Sequence, residues 1–547
     1  MSHWIIAPVV LPAFLAPLIV LWMRYDLRSQ RIFSIAGMTV LLAIAVKLAV
    51  DASAGQAIVY RLGNWEAPFG IVLVLDRLSA LMLILTAGLG LAVALYAIGS
   101  GWDKRGWHFH SLLQFQLMGI NGAFLTGDAF NLFVFFEVLL IASYGLMIHS
   151  GGEARLKAGV QYVVYNLAGS TLFLFALGTI YSVTGTLNMA DLAGKVAQLP
   201  ADDTALIRVG AILLMLVFAV KAALVPLQFW LPATYANAPG PVAALFAIMT
   251  KVGVYAIVRI YTLVFPEAGT IGGLAAQILM PAALASLIIG MVGVLGARDL
   301  GRVAAYAVIG SVGTMMLAFA QFDAAATGAG LYYMVHSTFA AAALFLIVDL
   351  VAQRRGMAGL RLVAAAPIAQ GGLIAALFFA AAIAMAGMPP LSGFLGKLMI
   401  LDATQGQWGI WAAILVTSLL AIVGFGRAGS EVFWKAHATD APATDLPEAP
   451  SHGLAFVAVG GLLAVLVGMT IFAGPVTVWL QATADQIHAP GGYVEAVMAG
   501  AAERADWPPG TAQAAPAEAL PDTTLPAPEP GSEPGAEPQS AETEQGG

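Results

Sequence analysis

Apolar residues follow one another along most of this chain in long runs, which are separated by short polar or Gly/Pro-containing breaks. A membrane-spanning helix needs about 20 predominantly apolar residues, whereas a spanning β-strand needs about ten that alternate with polar ones. The continuous runs therefore predict an all-α polytopic membrane protein with about 14 transmembrane helices. The predicted segments are 4–23, 31–51, 72–98, 110–126, 129–149, 157–183, 207–235, 241–265, 270–296, 301–320, 327–352, 369–402, 407–430 and 453–480.

The composition also indicates that the lipid bilayer is the main solvent of the chain. Hydrophobic residues make up 60% of the 547 positions and charged residues only 10%, whereas roughly 25% of residues are charged in a typical soluble domain. So few charges leave too little polar surface to cover several water-exposed domains. The sequence shows no basic stripe and no aromatic-basic patch, so we expect no nucleic-acid partner.

Cysteine and histidine usage limits the cofactors that the chain can hold. The chain contains no cysteine, which excludes disulfides, Cys-ligated iron–sulfur clusters, thiolate zinc sites and cysteine nucleophiles. Of its eight histidines, only His336 lies near the middle of a predicted segment, so no second histidine faces it to ligate a b-type haem. We therefore expect no organic cofactor, no metal site and no covalent catalysis.

Basic residues are distributed unevenly between the predicted loops. Loops after odd-numbered segments hold about fourteen Lys and Arg residues, whereas loops after even-numbered segments hold about three. This bias predicts that the odd loops face the cytoplasm and that both termini lie outside. The first three residues carry no Lys or Arg, so the first segment is interpreted as a retained helix rather than a secretory signal.

The transmembrane domain is predicted over 1–480. Two further segments, one between its last two helices and one after it, are predicted to lie outside the membrane. Residues 431–452 predict a linker loop between the last two helices, and 481–547 predict an extramembrane segment. From about 505 this segment is an acidic Pro/Ala/Glu-rich tail that we expect to be disordered. The stretch from 503 onward holds nine acids and one base, so it accounts for the formal net charge of −7.

Five ionisable residues lie near the middle of predicted segments, where a charge costs about 2.5 kcal/mol or more. They are Glu137, Lys221, Lys251, His336 and Lys397. Each can hold and release a proton, so the set predicts a proton relay at the level of the mid-membrane. The alternative is that buried ion pairs and extended lysines only order the helices.

Prolines interrupt two of the predicted helices close to these lysines. Pro226 follows Lys221 by five residues, and Pro389 and Pro390 precede Lys397. Proline lacks an amide hydrogen and clashes with the preceding turn, so both positions predict helix breaks. Two broken helices about 160 residues apart, each with a membrane lysine, are typical of a transporter built from two related halves.

Several of these segments carry a family resemblance. The motifs FFEVLLIASYGL, FAVKAALVPLQFWLPATYANAPGPVAALFAIMTKVGVYAIVRI, ARDLGRVAAYAVIGSVG and AGMPPLSGFLGKLMIL resemble the antiporter-like subunits shared by Mrp-type multisubunit Na⁺/H⁺ antiporters and NADH:quinone oxidoreductase (complex I). Within that family, NLAGSTLFLFALGTIYSVTGTLNMADLA and the modest length are similar to D subunits of Mrp antiporters. The resemblance covers 1–480 and implies two inverted five-helix repeats, at about 110–265 and 270–430, each with a broken helix.

The resemblance also implies roles for individual residues. Glu137 and Lys221 match the charge pair of the first half, Lys251 the lysine that links the halves, and Lys397 the terminal lysine of the second half. Each of the four is thereby assigned to proton transfer.

One position departs from the family pattern. Many relatives carry a lysine three residues before a Leu-Phe pair, but this chain has Ala341 before Leu344 and Phe345. His336 is therefore the titratable group on its helix. A continuous relay at this point would need water or another side chain.

The resemblance implies a subunit of a cation/proton antiporter complex in the bacterial plasma membrane. Its partners would be the other membrane subunits, lipid, H⁺ and Na⁺ or another monovalent cation. A proton-pumping subunit of complex I or of a related hydrogenase is the first alternative. A structural membrane scaffold whose buried ions only order the helices is the second.

Overall fold

The computed structural model describes residues 3–200, 204–267, 269, 271–438 and 453–499. In these residues the chain forms helices joined by short loops, together with one β-hairpin. The helices are α1 (Ala7–Trp22), α2 (Leu27–Ala52), α3 (Arg77–Ser100), α4 (Phe109–Leu125), α5 (Ala129–Met147), α6 (Glu153–Thr184), α7 (Met189–Ala197), α8 (Ala205–Ala222), α9 (Trp230–Asn237), α10 (Gly240–Leu263), α11 (Leu274–Gly296), α12 (Leu300–Phe319), α13 (Ala324–Ala352), α14 (Gly371–Ala386), α15 (Ser392–Ala403), α16 (Trp408–Gly429), α17 (Gly453–Ile471), α18 (Ala473–His488) and α19 (Gly491–Met498). The strands are β1 (Ile58–Arg61) and β2 (Val72–Leu75).

The number of membrane passages agrees with the apolar pattern. Eleven helices of the described chain are long and apolar enough to cross a membrane. The shorter apolar helices α1 and α14 add two passages, and α4, with 17 residues, adds a fourteenth. The prediction of an all-α multi-pass membrane protein is confirmed.

Both predicted breaks are present and each divides one passage into two helices. The passage expected at 207–235 consists of α8 and α9, which are separated by a turn that contains Pro226. The passage expected at 369–402 consists of α14 and α15, which are separated by a turn that contains Pro389 and Pro390. In each case the missing proline amide leaves helix carbonyls available to other donors.

The start of the third passage was predicted incorrectly. The segment expected at 72–98 begins as β2, which pairs antiparallel with β1, Leu75 lying opposite Ile58. Alternating Val and Leu favour a strand as readily as a helix over so short a run. Asp76 then starts α3, because its carboxylate accepts the backbone amide of Ser79 at 2.9 Å.

The last passage also differs from the predicted segment at 453–480. It ends at Ile471, and α18 begins just after Phe472, with Pro475 in its first turn, where no amide donor is needed. The predicted linker at 431–452 begins as a continuation of α16, which runs through a π turn and a 3₁₀ turn to residue 438. The rest of that linker and the predicted tail from about 505 lie outside the described residues.

The two halves of the chain repeat one capping arrangement at the ends of two helices. Asp128 caps α5 by accepting the amide three residues further on, and its backbone pairs with Asn188. Asp299 caps α12 in the same way, and its backbone pairs with Arg361. α5 and α12 are the second helices of α4–α10 and α11–α16, the two segments that are predicted to be repeats.

Loops that follow odd-numbered passages meet at one end of the molecule, here called the odd-loop end. Arg31, near the start of α2, forms a 2.6 Å ion pair with Asp103, which lies in the loop after α3. Arg155 donates to the carbonyl of Asn237 at 3.1 Å and so joins the fifth and seventh. At the opposite, even-loop end, the β-hairpin packs against α4 and α19.

The centre of the molecule is formed by α10 and α13, whose membrane spans are fully buried. Lys251 lies on α10 and His336 on α13. The outer helices α6, α11, α16 and α17 bury only 33–39% of their spans, and they expose apolar side chains such as Leu167 and Val292. The fold therefore places these ionisable groups inside protein and leaves apolar surface for lipid.

Candidate functional site

Lys221 lies in the last turn of α8, directly before the first helix break. Its side chain is 5% exposed, and its Nζ donates to Oδ1 of Asn166 on α6 at 3.1 Å. The ammonium nitrogen also lies 5.8 Å from the centre of the Phe136 ring. Trp230, at the start of α9, donates to the carbonyl of Val220 at 3.0 Å. The Trp230 side chain therefore provides a hydrogen-bond donor for a backbone carbonyl at the break. The partial negative charge at the carboxyl end of α8 favours the ammonium group of Lys221 nearby.

Glu137 is connected to the Lys221 site through α6. Its carboxylate accepts a hydrogen bond from Ser170, which lies one turn beyond Asn166 on the same face of α6. Within the described residues no ion pair of 4 Å or less joins Glu137 to Lys221. The two groups share one polar neighbourhood that α6 bridges, and Glu137 itself is half-buried.

Lys251 is the most isolated ionisable group of the membrane interior. Its side chain is fully buried, and its Nζ has no hydrogen-bond partner among the described residues. Two residues later Gly253 allows α10 to approach the end of α8, since a Cβ there would lie 2.5 Å from the amide nitrogen of Ala222. The helix that carries Lys251 thus packs directly against the helix that carries Lys221.

His336 faces the second broken passage. Its Nδ1 shares a 2.9 Å hydrogen bond with the hydroxyl of Ser392 at the start of α15. Its Nε2 has no partner in the part of the chain that the structure describes. Gly393 allows α15 to lie close to the His336 ring, because a Cβ at residue 393 would lie 2.7 Å from Nε2 of His336. The ring has one nitrogen engaged and one available for proton transfer.

Lys397 is held by the second helix break. Its Nζ donates to the carbonyl of Ala386 and to the hydroxyl of Ser418, both at 2.8 Å. Ala386 is the last residue of α14, so the break itself supplies this carbonyl acceptor. Gly387 then adopts φ +76°, and a Cβ there would lie 2.6 Å from Cδ of Lys397. The break and the lysine therefore form one local structure.

The structure orders the predicted residues along a series of neighbouring helices. α8 packs against α10, α10 against α13, and α13 against α15. Along this series the ionisable groups follow in the order Lys221, Lys251, His336 and Lys397, and Glu137 lies on α5, which α6 connects to α8. A broken passage stands at each end, and the two unbroken buried helices lie between.

Four polar partners in this series were not singled out from the sequence. They are Asn166, Ser170, Ser392 and Ser418. The sequence does contain a signal for Asn166 and Ser170, because two polar residues spaced by four inside an apolar segment lie on the same face of a helix. The two other serines carry no comparable signal, because single hydroxyls often bond to the preceding helical turn.

Comparisons with known proteins agree with this architecture. The family described as NADH:quinone oxidoreductase/Mrp antiporter, TM matches residues 126–423. The D subunit of a probable K⁺/H⁺ antiporter of Rhizobium meliloti (strain 1021) is 38% identical over 536 residues, covering 91% of this chain and 98% of that protein. The D subunit of a Na⁺/H⁺ antiporter of Bacillus subtilis (strain 168) is 36% identical, with coverage of 91% and 100%.

The fold comparison gives the same result. A chain in the structure of the Mrp complex from Dietzia sp. DQ12-45-1b matches with a TM-score of 0.82 and 28% sequence identity. The match covers 91% of this chain and 100% of that one, so it includes the whole membrane domain rather than one repeat. The chain belongs to the NADH:quinone oxidoreductase/Mrp antiporter family of multi-pass membrane proteins, and within it to the D subunits of cation/proton antiporters.

Proposed function

We propose that this chain is the proton-translocating subunit of a multisubunit monovalent-cation/proton antiporter in the bacterial plasma membrane. The observation that carries the proposal is the series of buried ionisable groups from Lys221 to Lys397 on helices in contact, to which α6 connects the half-buried Glu137. Two relatives are named as D subunits of Na⁺/H⁺ and K⁺/H⁺ antiporters. The other subunits of such a complex would be the partners, and H⁺ with Na⁺ or another monovalent cation the transported ions.

Glu137 and Lys221 act as the switch of this relay. An ionised Glu137 stabilises the ammonium form of Lys221 across the Ser170 and Asn166 bridge, whereas neutralising the carboxylate favours release of the lysine proton. The released proton passes to Lys251, whose amine has no competing partner among the described residues. No change of covalent bonding other than proton transfer is involved.

The remaining steps carry the proton along α10, α13 and α15. If two ammonium groups lay about 7 Å apart, they would repel by roughly 2.4 kcal/mol at an effective dielectric near 20, so a proton that arrives at one amine would favour loss from its neighbour. Lys251, His336 and Lys397 make no direct hydrogen bonds to one another in the described chain. Water between these side chains therefore completes the transfers.

Lysine replacements test the relay against a purely structural role. Lys221→Ala and Lys397→Ala complexes, purified intact and placed in sealed vesicles, should lose Na⁺- or K⁺-dependent dissipation of a pH gradient while retaining the other subunits. Lys47→Ala is the matched control, because Lys47 pairs with Asp51 on the exposed side of α2. A scaffold would instead lose transport only in proportion to the complex lost, and that result would refute the proposal.

Family membership leaves one alternative assembly, a proton-pumping subunit of complex I or of a related hydrogenase. The chain would perform the same proton transfer there, but electron transfer in partner subunits would drive it. The proteins that copurify with the chain decide between the two. Flavin or iron–sulfur subunits would indicate the oxidoreductase, and small hydrophobic membrane subunits the antiporter.

A further inference from the structure

A polar stripe runs along α10 from Lys251 toward the even-loop end. Tyr255 and Arg259 follow Lys251 at intervals of four residues, so the three side chains lie on one face of the helix. The Tyr255 hydroxyl donates to the carbonyl of Phe124 at 2.8 Å and lies 3.4 Å from Nε of Arg259. The relay described above uses the first residue of this stripe and neither of the others.

Arg259 ends the stripe in a buried ion pair with Asp76, at the start of α3. Nη1 lies 2.6 Å from Oδ2, and Nη2 donates to Oδ1 at 2.8 Å, so the pair has two parallel contacts. The two side chains are only 7% and 5% exposed. Asp76 also accepts the amide and the hydroxyl of Ser79, each at 2.9 Å, which fixes its carboxylate.

A cavity of about 680 Å³ lies directly beyond this ion pair. Asp76 and Arg259 line its buried side, and Asp485 and Glu495 contribute carboxylates from α18 and α19. The ring of Tyr493 lies 5.2 Å from the Arg259 guanidinium, and its buried hydroxyl has no partner in the described part of the chain. The ion pair is thus the boundary between a carboxylate-lined cavity and the stripe that leads to Lys251.

We propose that Arg259 and Asp76 form an electrostatic gate between Lys251 and this cavity, in which Arg259 excludes uncoupled protons and cations. Arginine stays protonated in proteins and cannot itself carry the proton, but its fixed charge opposes a cation that approaches Lys251. Asp76 holds the guanidinium in place at the edge of the cavity. Loss of the guanidinium charge would let Tyr255 and water connect the cavity to Lys251. The gate rests on the proposed function for the role of Lys251.

Removing either member of the pair breaks the same salt bridge, but only the loss of Arg259 should increase proton leakage. Arg259→Gln leaves an unpaired carboxylate that attracts water and cations. Eight residues of helix place Arg259 about 12 Å from Lys251, and at an effective dielectric near 20 a unit charge at that distance changes cation occupancy about tenfold. Passive proton uptake into sealed vesicles without Na⁺ or K⁺ should therefore rise about tenfold in Arg259→Gln.

Asp76→Asn leaves the arginine charge in place, so its vesicles should hold a pH gradient as well as the parent complex does. A merely structural salt bridge predicts equal damage from the two replacements. Equal leakage in both, or a tight Arg259→Gln complex, would overturn the gate. All variants are compared at equal amounts of intact complex.

Two further variants locate the leak. Arg77→Gln is the matched control, because Arg77 lines the same cavity but donates to the carbonyl of Ser53 at 2.5 Å rather than to Asp76. It should not leak. Arg259→Gln combined with Lys251→Ala should leak less than Arg259→Gln alone, whereas a general packing defect would leave the leak unchanged and refute the gate.

The leak is measured without a driving cation, so it does not depend on antiport. If Lys221→Ala retained full antiport while Arg259→Gln leaked and Asp76→Asn did not, the proposed relay would fail and the barrier function of Arg259 would stand. If Lys221→Ala lost antiport and Arg259→Gln stayed tight, the relay would stand and the gate would fail.

Discussion

Each membrane lysine has a different hydrogen-bonding environment, and this decides what a single replacement does. Lys221 donates to a side-chain amide and Lys397 to a helix carbonyl and a hydroxyl. Lys251 has no acceptor within the described residues, so its ammonium form depends on water for solvation. Glu137 is the carboxylate proposed to act on Lys221, to which Ser170 and Asn166 on α6 connect it.

Glu137→Gln is expected to abolish antiport while leaving assembly of the complex largely normal. The amide keeps the shape of the side chain and can still accept from Ser170, but it cannot stabilise the ammonium form of Lys221. The measurement is cation-dependent dissipation of a pH gradient in vesicles that contain equal amounts of complex. A loss of at least about tenfold is expected, since a change of about 1.4 kcal/mol in charge stabilisation corresponds to a tenfold change in rate.

Two replacements control this result. Glu137→Asp keeps the charge on a shorter stem and should retain part of the activity. Ser170→Ala removes the hydrogen bond but leaves the charge, so it should reduce antiport less than Glu137→Gln. If Glu137→Gln transported like the parent with an unchanged pH profile, Glu137 would be a protonated packing residue.

At the scale of elements, the two broken passages use their breaks differently. Lys221 precedes its break and lies at the carboxyl end of α8, whereas Lys397 follows its break and reaches back to the carbonyl of Ala386. In both cases a helix carboxyl end lies beside an ammonium group, which stabilises the cation at a site that hydrocarbon would destabilise. Each break therefore provides a helix carboxyl end that stabilises the ammonium group of its lysine.

Gly387→Ala tests the second break. The left-handed backbone at this position costs a residue with a Cβ roughly 1–2 kcal/mol, and the added atom would also meet the Lys397 side chain. We expect a lower thermal midpoint of the purified complex and loss of antiport. Gly372→Ala is the matched control on α14, because a Cβ there meets nothing within 4 Å. Equal effects from the two alanines would show that the geometry at Gly387 is unimportant.

At the scale of the whole molecule, contacts place the loops after odd-numbered passages at one end and the loops after even-numbered passages at the other. The excess of Lys and Arg in the odd loops predicts that this end faces the cytoplasm. The cavity beyond Arg259 then opens on the outer side of the membrane. The orientation therefore decides from which side protons would reach the gate.

Cysteine labelling tests the orientation directly, because the chain has no native cysteine. Met357, at the odd-loop end, is 97% exposed and Phe69, at the even-loop end, is 92% exposed. A membrane-impermeant maleimide should label Phe69→Cys in intact cells and Met357→Cys only in inverted vesicles. The parent complex controls for cysteines of other subunits. The reverse pattern would invert the topology and the direction of the gate.

The sequence alone determined the membrane passages, the two breaks and the five ionisable groups of the series. These are local properties, because the length of an apolar run and the missing amide of proline do not depend on distant residues. The same local pattern could not separate strand β2 from helix α3, since four apolar residues fit either structure.

Only the tertiary structure decided which polar atoms meet. Asn166 and Lys221 are 55 residues apart, and Asp76 and Arg259 are 183 residues apart. Their contacts depend on how each helix is rotated and which neighbour it packs against, and the hydrophobic pattern of one buried helix leaves both undetermined because apolar residues surround it on every side. The α6 bridge between Glu137 and Lys221 and the Arg259–Asp76 ion pair therefore follow from helix packing, whereas the passages that carry them follow from the chain.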